Sequence, residues 1–349
     1  MSIHPSRDLE TAALPAERVW VLDDPRAGTA AQAIGIAERL GVPFRRIPLT
    51  WNWMAHLAGL ARHGSLLGLA GPARATLARG IAAPSTASGE PGVLPTLAIS
   101  AGSRSSAVAL WLKQQTGCRI VHCMRPGIGG LFRAGHFDLL VIPEHDHPDK
   151  AANVMPVLGA PHRLSPLILR QAAAAWQERL AHLPHPRVAL LVGGPVRGTG
   201  LPPVLAHRLG VAVARLAAER GGAVLATTSR RTGAEATAAL SVGLSRALHL
   251  LYRWGEPGEN PYHGFLAGAD AIVVTADSVS MISEACATTV PVFVALPELA
   301  GPRHLRLIDS LRQAGQVHPL EDTLSPWPRP PLDEAGRVAG EIIRRFPVE

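Results

Sequence analysis

The fold class this sequence predicts is two α/β domains, each a doubly wound parallel sheet, facing one another across a cleft. Three observations carry it. Short apolar, β-branched runs alternate with helical stretches, which is the rhythm of right-handed parallel βαβ units. The rhythm breaks and restarts near Pro184, so the chain reads as two similar halves, 1–183 and 184–349, hinged at HLPHPR, 182–187. Near the end, AIVVTADSVSMISEACATTVPVFV, 271–294, runs a buried strand, a polar turn, a short helix and a second buried strand together without a gap.

In the first half, strands are expected at 19–22, 96–100, 119–122 and 139–142, with helices at 30–40 and 105–116 between them. The second half restarts with strands at 188–192, 223–227, 248–252, 271–275 and 292–296. A last helix, 333–346, is expected to pack back across the cleft onto the first domain. Each half is thus a Rossmann-like layer, and ligands of open α/β sheets bind beyond the carboxyl ends of the strands.

Length and composition agree with this. At 349 residues the chain has room for two domains of roughly 100–200 residues each. A hydrophobic share of 47% with 17% charged residues can fill two cores, which excludes wholesale disorder. The first eighteen residues lack an apolar centre and no apolar run reaches the roughly 18 residues of a membrane span, so a cytoplasmic protein is expected. Cys118, Cys123 and Cys286 fit neither a disulfide framework nor zinc-ligand spacing and read as reduced core thiols. The formal charge of +7 is mostly arginine and favours anionic partners such as phosphates or acidic lipid.

The chemistry concentrates at three turns of the second half. After the strand IVV, Thr275-Ala276-Asp277-Ser278 breaks the apolar run where a helix should begin, and free N–H groups with the positive end of a helix dipole suit phosphate there. Asp277, Ser278, Val279 and Ser280 form that helix start, and Glu284 lies six positions after Ser278, within reach of a ribose. A helix capped by Asp277 or Ser278 needs no ligand, so this turn alone leaves both readings open. Gly193-Gly194-Pro195 follows the strand VALLV, and its small residues admit close approach of backbone to a ligand. TTSRRT, 227–232, brings Thr228, Ser229, Arg230 and Arg231 to a third helix start, where two guanidiniums suit a diphosphate.

The strings VWVLDDPRAGTAAQAIGIAERLG (19–41), ISAGSRSSAVALWLK (99–113), FDLLVIPEHDHP (137–148), TTSRRTGAE (227–235) and NPYHGFLAGADAIVVTADSVSMISEA (260–285) resemble the bacterial family related to the plant mitochondrial-fission protein of the elongated-mitochondria type. The resemblance covers about 18–320, and that family is described as nucleotide-sugar glycosyltransferases of the GT-B fold. TADSVSMISEA is also similar to the donor loop of the lipid-linked N-acetylglucosaminyltransferase of peptidoglycan synthesis. The resemblance makes Glu284 the ribose ligand and lines the diphosphate with Ser278 and Ser280. Where members of that family often carry Asp, His or Asn after the first Ala-Gly, this chain has Thr29-Ala30, so an acid or base role does not carry over to that turn.

The resemblance implies transfer from a nucleoside diphosphate sugar, with no cofactor, and membrane contact through the basic segment 39–79 would make the acceptor a lipid-linked or lipopolysaccharide-type envelope molecule. A non-catalytic scaffold that recruits partners to a membrane is the alternative. The catalytic base is expected at the carboxyl ends of first-half strands, where Asp24 ends the first strand and Glu144 and His145 end LLVI. His145-Asp146-His147 lacks a third ligand, so these residues read as a solvated turn and no metal is expected. Residues 39–79 hold six arginines (39, 45, 46, 62, 74, 79) and no acid, with Trp51, Trp53, Leu57 and Leu60 interleaved. Such a basic amphipathic segment suits peripheral attachment to an anionic membrane, and a helix packed on its own core with solvated arginines accounts for it equally. No nucleic-acid partner is expected, since there are two tyrosines and no recognised binding module. An epimerase reading lacks both G-x-G-x-x-G and Tyr-x-x-x-Lys.

Overall fold

The computed structural model describes residues 18–58, 60, 63–82, 94–195, 200–321 and 323–346. It contains Val19–Asp23 (β1), Ala27–Arg39 (α1), Phe44–Pro48 (β2), Ala55–Ala58 (α2), Gly71–Ala82 (α3), Leu97–Ala101 (β3), Ser105–Thr116 (α4), Arg119–Cys123 (β4), Gly127–Leu131 (α5), Leu139–Pro143 (β5) and Val154–Val157 (β6). There follow Pro166–Leu180 (α6), Arg187–Val192 (β7), Pro203–Ala218 (α7), Ala223–Thr228 (β8), Ala234–Leu244 (α8), Leu248–Tyr252 (β9), Tyr262–Ala267 (α9), Ala271–Thr275 (β10), Val279–Cys286 (α10), Val292–Ala295 (β11), Pro302–Gln313 (α11), His318–Pro319 (β12) and Glu334–Arg345 (α12).

Two compact units result. The first comprises Met1–Ile142, Asp149–Met155 and Ala335–Glu349; the second comprises Pro143–Pro148 and Pro156–Glu334. The break therefore falls at Pro156 and not at 183/184, because α6 is bound into the second core. Leu180 and Leu183 are buried with Ala223, Leu225 and Phe265, and Trp176 meets Phe265 edge to face at 5.8 Å.

The first unit is a six-stranded parallel sheet in the order β2-β1-β3-β4-β5-β6. Val19 to Leu22 are buried on both faces, as apolar central strands must be. Trp20, Leu77, Leu112, Ile120 and Phe137 fill one side. Gly117, at φ 73°, closes α4 in the left-handed conformation that a helix end of this type requires.

The second unit has the order β12-β11-β10-β7-β8-β9. From β7 the chain runs outward through β8 and β9, then returns to pair β10 against the other side of β7, with Val274 beside Leu191. The direction of winding reverses between β7 and β10, which is where such sheets open a crevice at their carboxyl ends. Val188, Leu190, Val273, Val213 and Leu240 fill one face of the sheet, and Ile272, Val274, Ile282, Leu307 and Leu311 fill the other.

The expected basic segment 39–79 is not one amphipathic helix. It is divided among β2, α2 and α3, and several of its arginines are occupied. Arg46 donates to Asp23 through Nε and Nη2 at 3.0 and 2.6 Å, Arg74 donates to the carbonyls of Leu69 and Leu66, and Arg79 donates to Ala75 O. Arg45 lies over the Trp20 ring and Trp51 is half-buried, while Arg62 lies outside the described residues. The pairing is a consequence of register: Asp23 lies well before the acid-free window in sequence but at the end of the strand next to β2.

Candidate functional site

The three turns singled out in the sequence follow β7, β8 and β10, and parallel pairing brings their carboxyl ends to one edge of the second sheet. They are joined there by short polar contacts. The Gly193 N–H donates to Thr275 Oγ1 at 2.8 Å, and the Gly194 N–H donates to Asp277 Oδ2 at 2.8 Å. Arg231 Nη2 pairs with the same oxygen at 3.1 Å. The room left by the glycines is thus filled from inside: a Cβ on Gly193 would strike the Asp277 carboxylate, and one on Gly194 the Arg231 carbonyl. Asp277 is 2% exposed, and its Oδ1 has no hydrogen-bond partner.

Thr232, absent from the residues proposed from sequence, holds the β8 turn in place. Its fully buried hydroxyl donates to Val192 O and Gly193 O at 2.9 and 2.7 Å and accepts the Ser229 N–H at 3.0 Å. Thr228 Oγ1 accepts the Trp254 N–H at 3.0 Å, tying the turn to the end of β9. Arg230 is exposed and makes no ion pair among the described residues. A cavity of about 560 Å³ opens beside it, lined by Thr228, Ser229, Arg230, Thr237, Arg253 and Trp254.

Helix α10 begins at the crevice. Ser278 is its N-cap, extended at φ −126°, with its hydroxyl accepting the Met281 N–H at 3.4 Å. Val279 and Ser280 follow in the first turn, half-buried, and their N–H groups have no acceptor within the helix. The other end of the helix is held by Arg329, a buried guanidinium that forms no ion pair among the described residues. It donates to Cys286 O at 2.9 Å, Ala285 O at 3.2 Å, Val290 O at 3.0 Å, Gln316 Oε1 at 2.9 Å and Thr288 Oγ1 at 3.2 Å. A cation at the carboxyl end of a helix complements its dipole, and here it also satisfies the last carbonyls.

Glu284, on the second turn of α10, accepts the Tyr262 hydroxyl at 2.6 Å. Burial pushes the Glu284 carboxyl above its ordinary value, the hydrogen bond from Tyr262 opposing the shift, and the Tyr262 phenol is pushed up for the same reason. Sequence spacing alone placed Glu284 at this site but not its partner, which lies 22 residues away on α9.

The candidate bases are separated by the fold. Asp24 belongs to the first unit, and both its oxygens are engaged, Oδ1 by the Arg26 N–H at 2.9 Å and Oδ2 by Trp51 Nε1 at 3.1 Å. Glu144 and His145 belong to the second unit. Glu144 is exposed. His145 corrects the expectation of a solvated turn: it is buried, neither ring nitrogen has a hydrogen-bond partner, and burial lowers its pKa to about 4. Its turn is fastened to α11, where Arg306 Nε donates to His145 O at 3.0 Å and Arg303 forms a two-point pair with Asp146 at 2.9 and 2.6 Å. His304, on the first turn of the same helix, feels the charges of Asp277, Arg303 and Arg231, and burial lowers its pKa. Neither arginine nor His304 stood out in the sequence, since only the packing of α11 brings them here. Among the described residues, no three His, Cys, Asp or Glu side chains converge as metal ligands do, and no helix is long and apolar enough to cross a membrane.

The family model described as mitochondrial fission ELM1 matches residues 27–346. The mitochondrial fission protein ELM1 of Arabidopsis thaliana is 35% identical over 207 residues, 58% of this chain and 47% of that protein, so the match spans about half the plant relative. An uncharacterized protein of Rickettsia prowazekii (strain Madrid E), RP120, is 23% identical over 366 residues, 93% of this chain and 97% of that one. Among solved structures, the glycosyltransferase SnogD from Streptomyces nogalater aligns with a TM-score of 0.51 at 14% identity, over 95% of this chain and 94% of that chain. That likeness is one of fold.

Proposed function

The chain belongs to the mitochondrial fission ELM1 family, and from that premise we propose that it moves a sugar from a nucleoside diphosphate sugar to a lipid-linked or lipopolysaccharide-type acceptor of the cell envelope. The observation that carries the reading is the start of α10 at the crevice between β7 and β10, with the Ser278 cap at its N-terminus and Glu284 one turn further on. The unmatched N–H groups of Val279 and Ser280, the helix dipole and the free Arg230 guanidinium take the charge of the diphosphate as it leaves. Glu284 exchanges the Tyr262 hydroxyl for those of a ribose. The cavity beside Arg230 and Trp254, about 560 Å³, is of a size that holds small ligands. The fold of SnogD, a glycosyltransferase, supports the same class of reaction.

Deprotonation of the acceptor hydroxyl falls to Glu144 in this reading. Its carboxylate has no internal partner among the described residues, whereas both oxygens of Asp24 are engaged and His145 is enclosed and neutral near pH 7. Contact with an anionic membrane surface brings the enzyme to its acceptor on the inner face of the membrane.

One observation favours a second reading, a scaffold on a GT-B frame that recruits partners to a membrane. Asp277 already holds the Gly194 N–H and the Arg231 guanidinium, so two groups expected to bind phosphate are filled by the protein itself. Thermal-shift measurements with UDP-, GDP-, ADP- and CMP-linked sugars separate the two. A donor at 100 times its dissociation constant stabilises the fold by about 2.7 kcal/mol. Glu284→Ala then weakens binding by roughly tenfold or more, the loss expected for one charge-assisted hydrogen bond. No shift with any of the four classes would leave the scaffold reading standing.

A further inference from the structure

Helix α5, Gly127–Leu131, reverses the usual amphipathic order. Its glycines face inward: Gly129 and Gly130 are buried, and a Cβ on Gly130 would lie 2.6 Å from Pro126 Cβ. The seat is fastened to α4 by the Ser106 hydroxyl, which donates to Pro126 O at 2.6 Å. The large apolar side chains point the other way. Ile128, Leu131 and Phe132 stand at i, i+3 and i+4, one face of a helical turn, and are 64%, 41% and 68% exposed. A soluble helix of this size ordinarily does the opposite, burying its branched and aromatic residues and exposing its small ones.

The charge around this face has one sign. Residues 39–137 contain eleven Arg and Lys side chains and a single acid, Glu90, while the rest of the chain holds 23 basic against 26 acidic residues. Arg104 begins α4 beside α5, and Arg125 and Arg133 flank α5 in sequence. The next acid along the chain, Asp138, is held by Lys113 at 2.6 Å and by the Ile120 N–H at 2.7 Å. A second exposed apolar group belongs to the same unit. Trp53, 79% exposed, and Leu60 lie on the arm that ends where the Ser65 N–H donates to Ala107 O, one residue from Ser106 on the first turn of α4.

We propose that α5 is an interfacial anchor, by which Ile128, Leu131 and Phe132 enter the boundary between headgroups and acyl chains of an anionic bilayer while Arg104 and Arg133 meet the headgroups. Three side chains are too few for a stable protein–protein interface, which needs about 800 Å² on each partner. They suffice for a peripheral anchor when basic residues add electrostatic attraction to acidic lipid. The inference stands apart from sugar transfer and holds for an enzyme or a scaffold.

The test is co-sedimentation of the full chain with vesicles of phosphatidylcholine alone and of phosphatidylcholine with phosphatidylglycerol. The wild type is compared with Ile128→Ser/Leu131→Ser/Phe132→Ser, which leaves the charge unchanged, and with Arg104→Gln/Arg133→Gln, which leaves the apolar face unchanged. Circular dichroism and melting curves establish that both variants fold. The wild type pellets with the anionic vesicles and not with the neutral ones, and each variant partitions roughly tenfold less. A wild type that stays in solution, or an apolar triple variant that pellets as well as wild type, overturns the proposal. So does an unchanged arginine variant, because the surface recognised is then not an anionic one.

Discussion

The Asp277 carboxylate accepts the Gly194 N–H at 2.8 Å across the crevice between β10 and β7. One buried oxygen therefore serves both a backbone amide and the Arg231 guanidinium at the place where an external anion was expected. Replacing Asp277 with Ala orphans the Gly194 N–H and is expected to cost about 1–3 kcal/mol in urea unfolding. Pyrophosphate should then raise the midpoint of the variant more than that of wild type, because the vacated amide and guanidinium form an anion seat. Equal responses would mean that the turn rearranges once the carboxylate is gone.

Glu284 gives a pH signature. Burial raises its pKa in the folded chain above the ordinary carboxyl value of 4.5, so the folded state holds its proton more firmly than the unfolded one. That contribution to stability is complete below pH 4.5 and is lost as pH rises through the raised value. Glu284→Gln, which still accepts from Tyr262, is expected to flatten the melting-temperature profile above pH 4.5 and to melt higher than wild type at neutral pH. Parallel profiles for the two proteins would show that the carboxyl is not strained by its surroundings.

His122 acts in the opposite sense. It is fully buried, its Nδ1 lies 2.7 Å from Ser100 Oγ, its Nε2 has no partner, and burial lowers its pKa to about 3. The unfolded chain binds the proton more readily, so stability present above pH 6.5 is lost as pH falls towards about 3. His122→Gln should reduce the acid-side slope of unfolding free energy against pH by up to about 1.4 kcal/mol per pH unit. The check is urea unfolding at intervals across that range, and an unchanged slope removes His122 as the source.

Arg329 organises the carboxyl end of α10 through five acceptors. Each hydrogen bond from a charged donor is worth about 1.5–3 kcal/mol and the contributions do not add fully, so Arg329→Ala is expected to cost about 3 kcal/mol or more. Arg329→Lys should recover only a minor part, because an ammonium cannot span a planar fork of acceptors. A lysine variant as stable as wild type in chemical denaturation would show that charge alone does the work.

The central strands were legible in the sequence because β1, β7, β8 and β10 are apolar on both faces and leave no other reading. The edge strands β2 and β12 were not, since FRRIP and His318-Pro319 carry arginine and proline where one side of a strand is free. At the site, the helix start at Ser278 and the carboxylate of Glu284 followed from local spacing. The occupation of the glycine turn by Asp277 depends on the register of β10 against β7, and the hold of Arg329 spans about forty residues from a proline-rich coil. Neither is encoded in any local pattern.

The first unit is assembled from three separated stretches, the last being Ala335–Glu349. Arg345 Nη1 donates to Ala152 O at 2.6 Å and Arg119 lies over the Phe346 ring, so α12 is fastened to residues made long before it. On a ribosome, the strands β1 to β6 therefore lack their closing helix until the second unit has been synthesised. A fragment ending at Glu334 contains the whole second unit but lacks the stretch that closes the first.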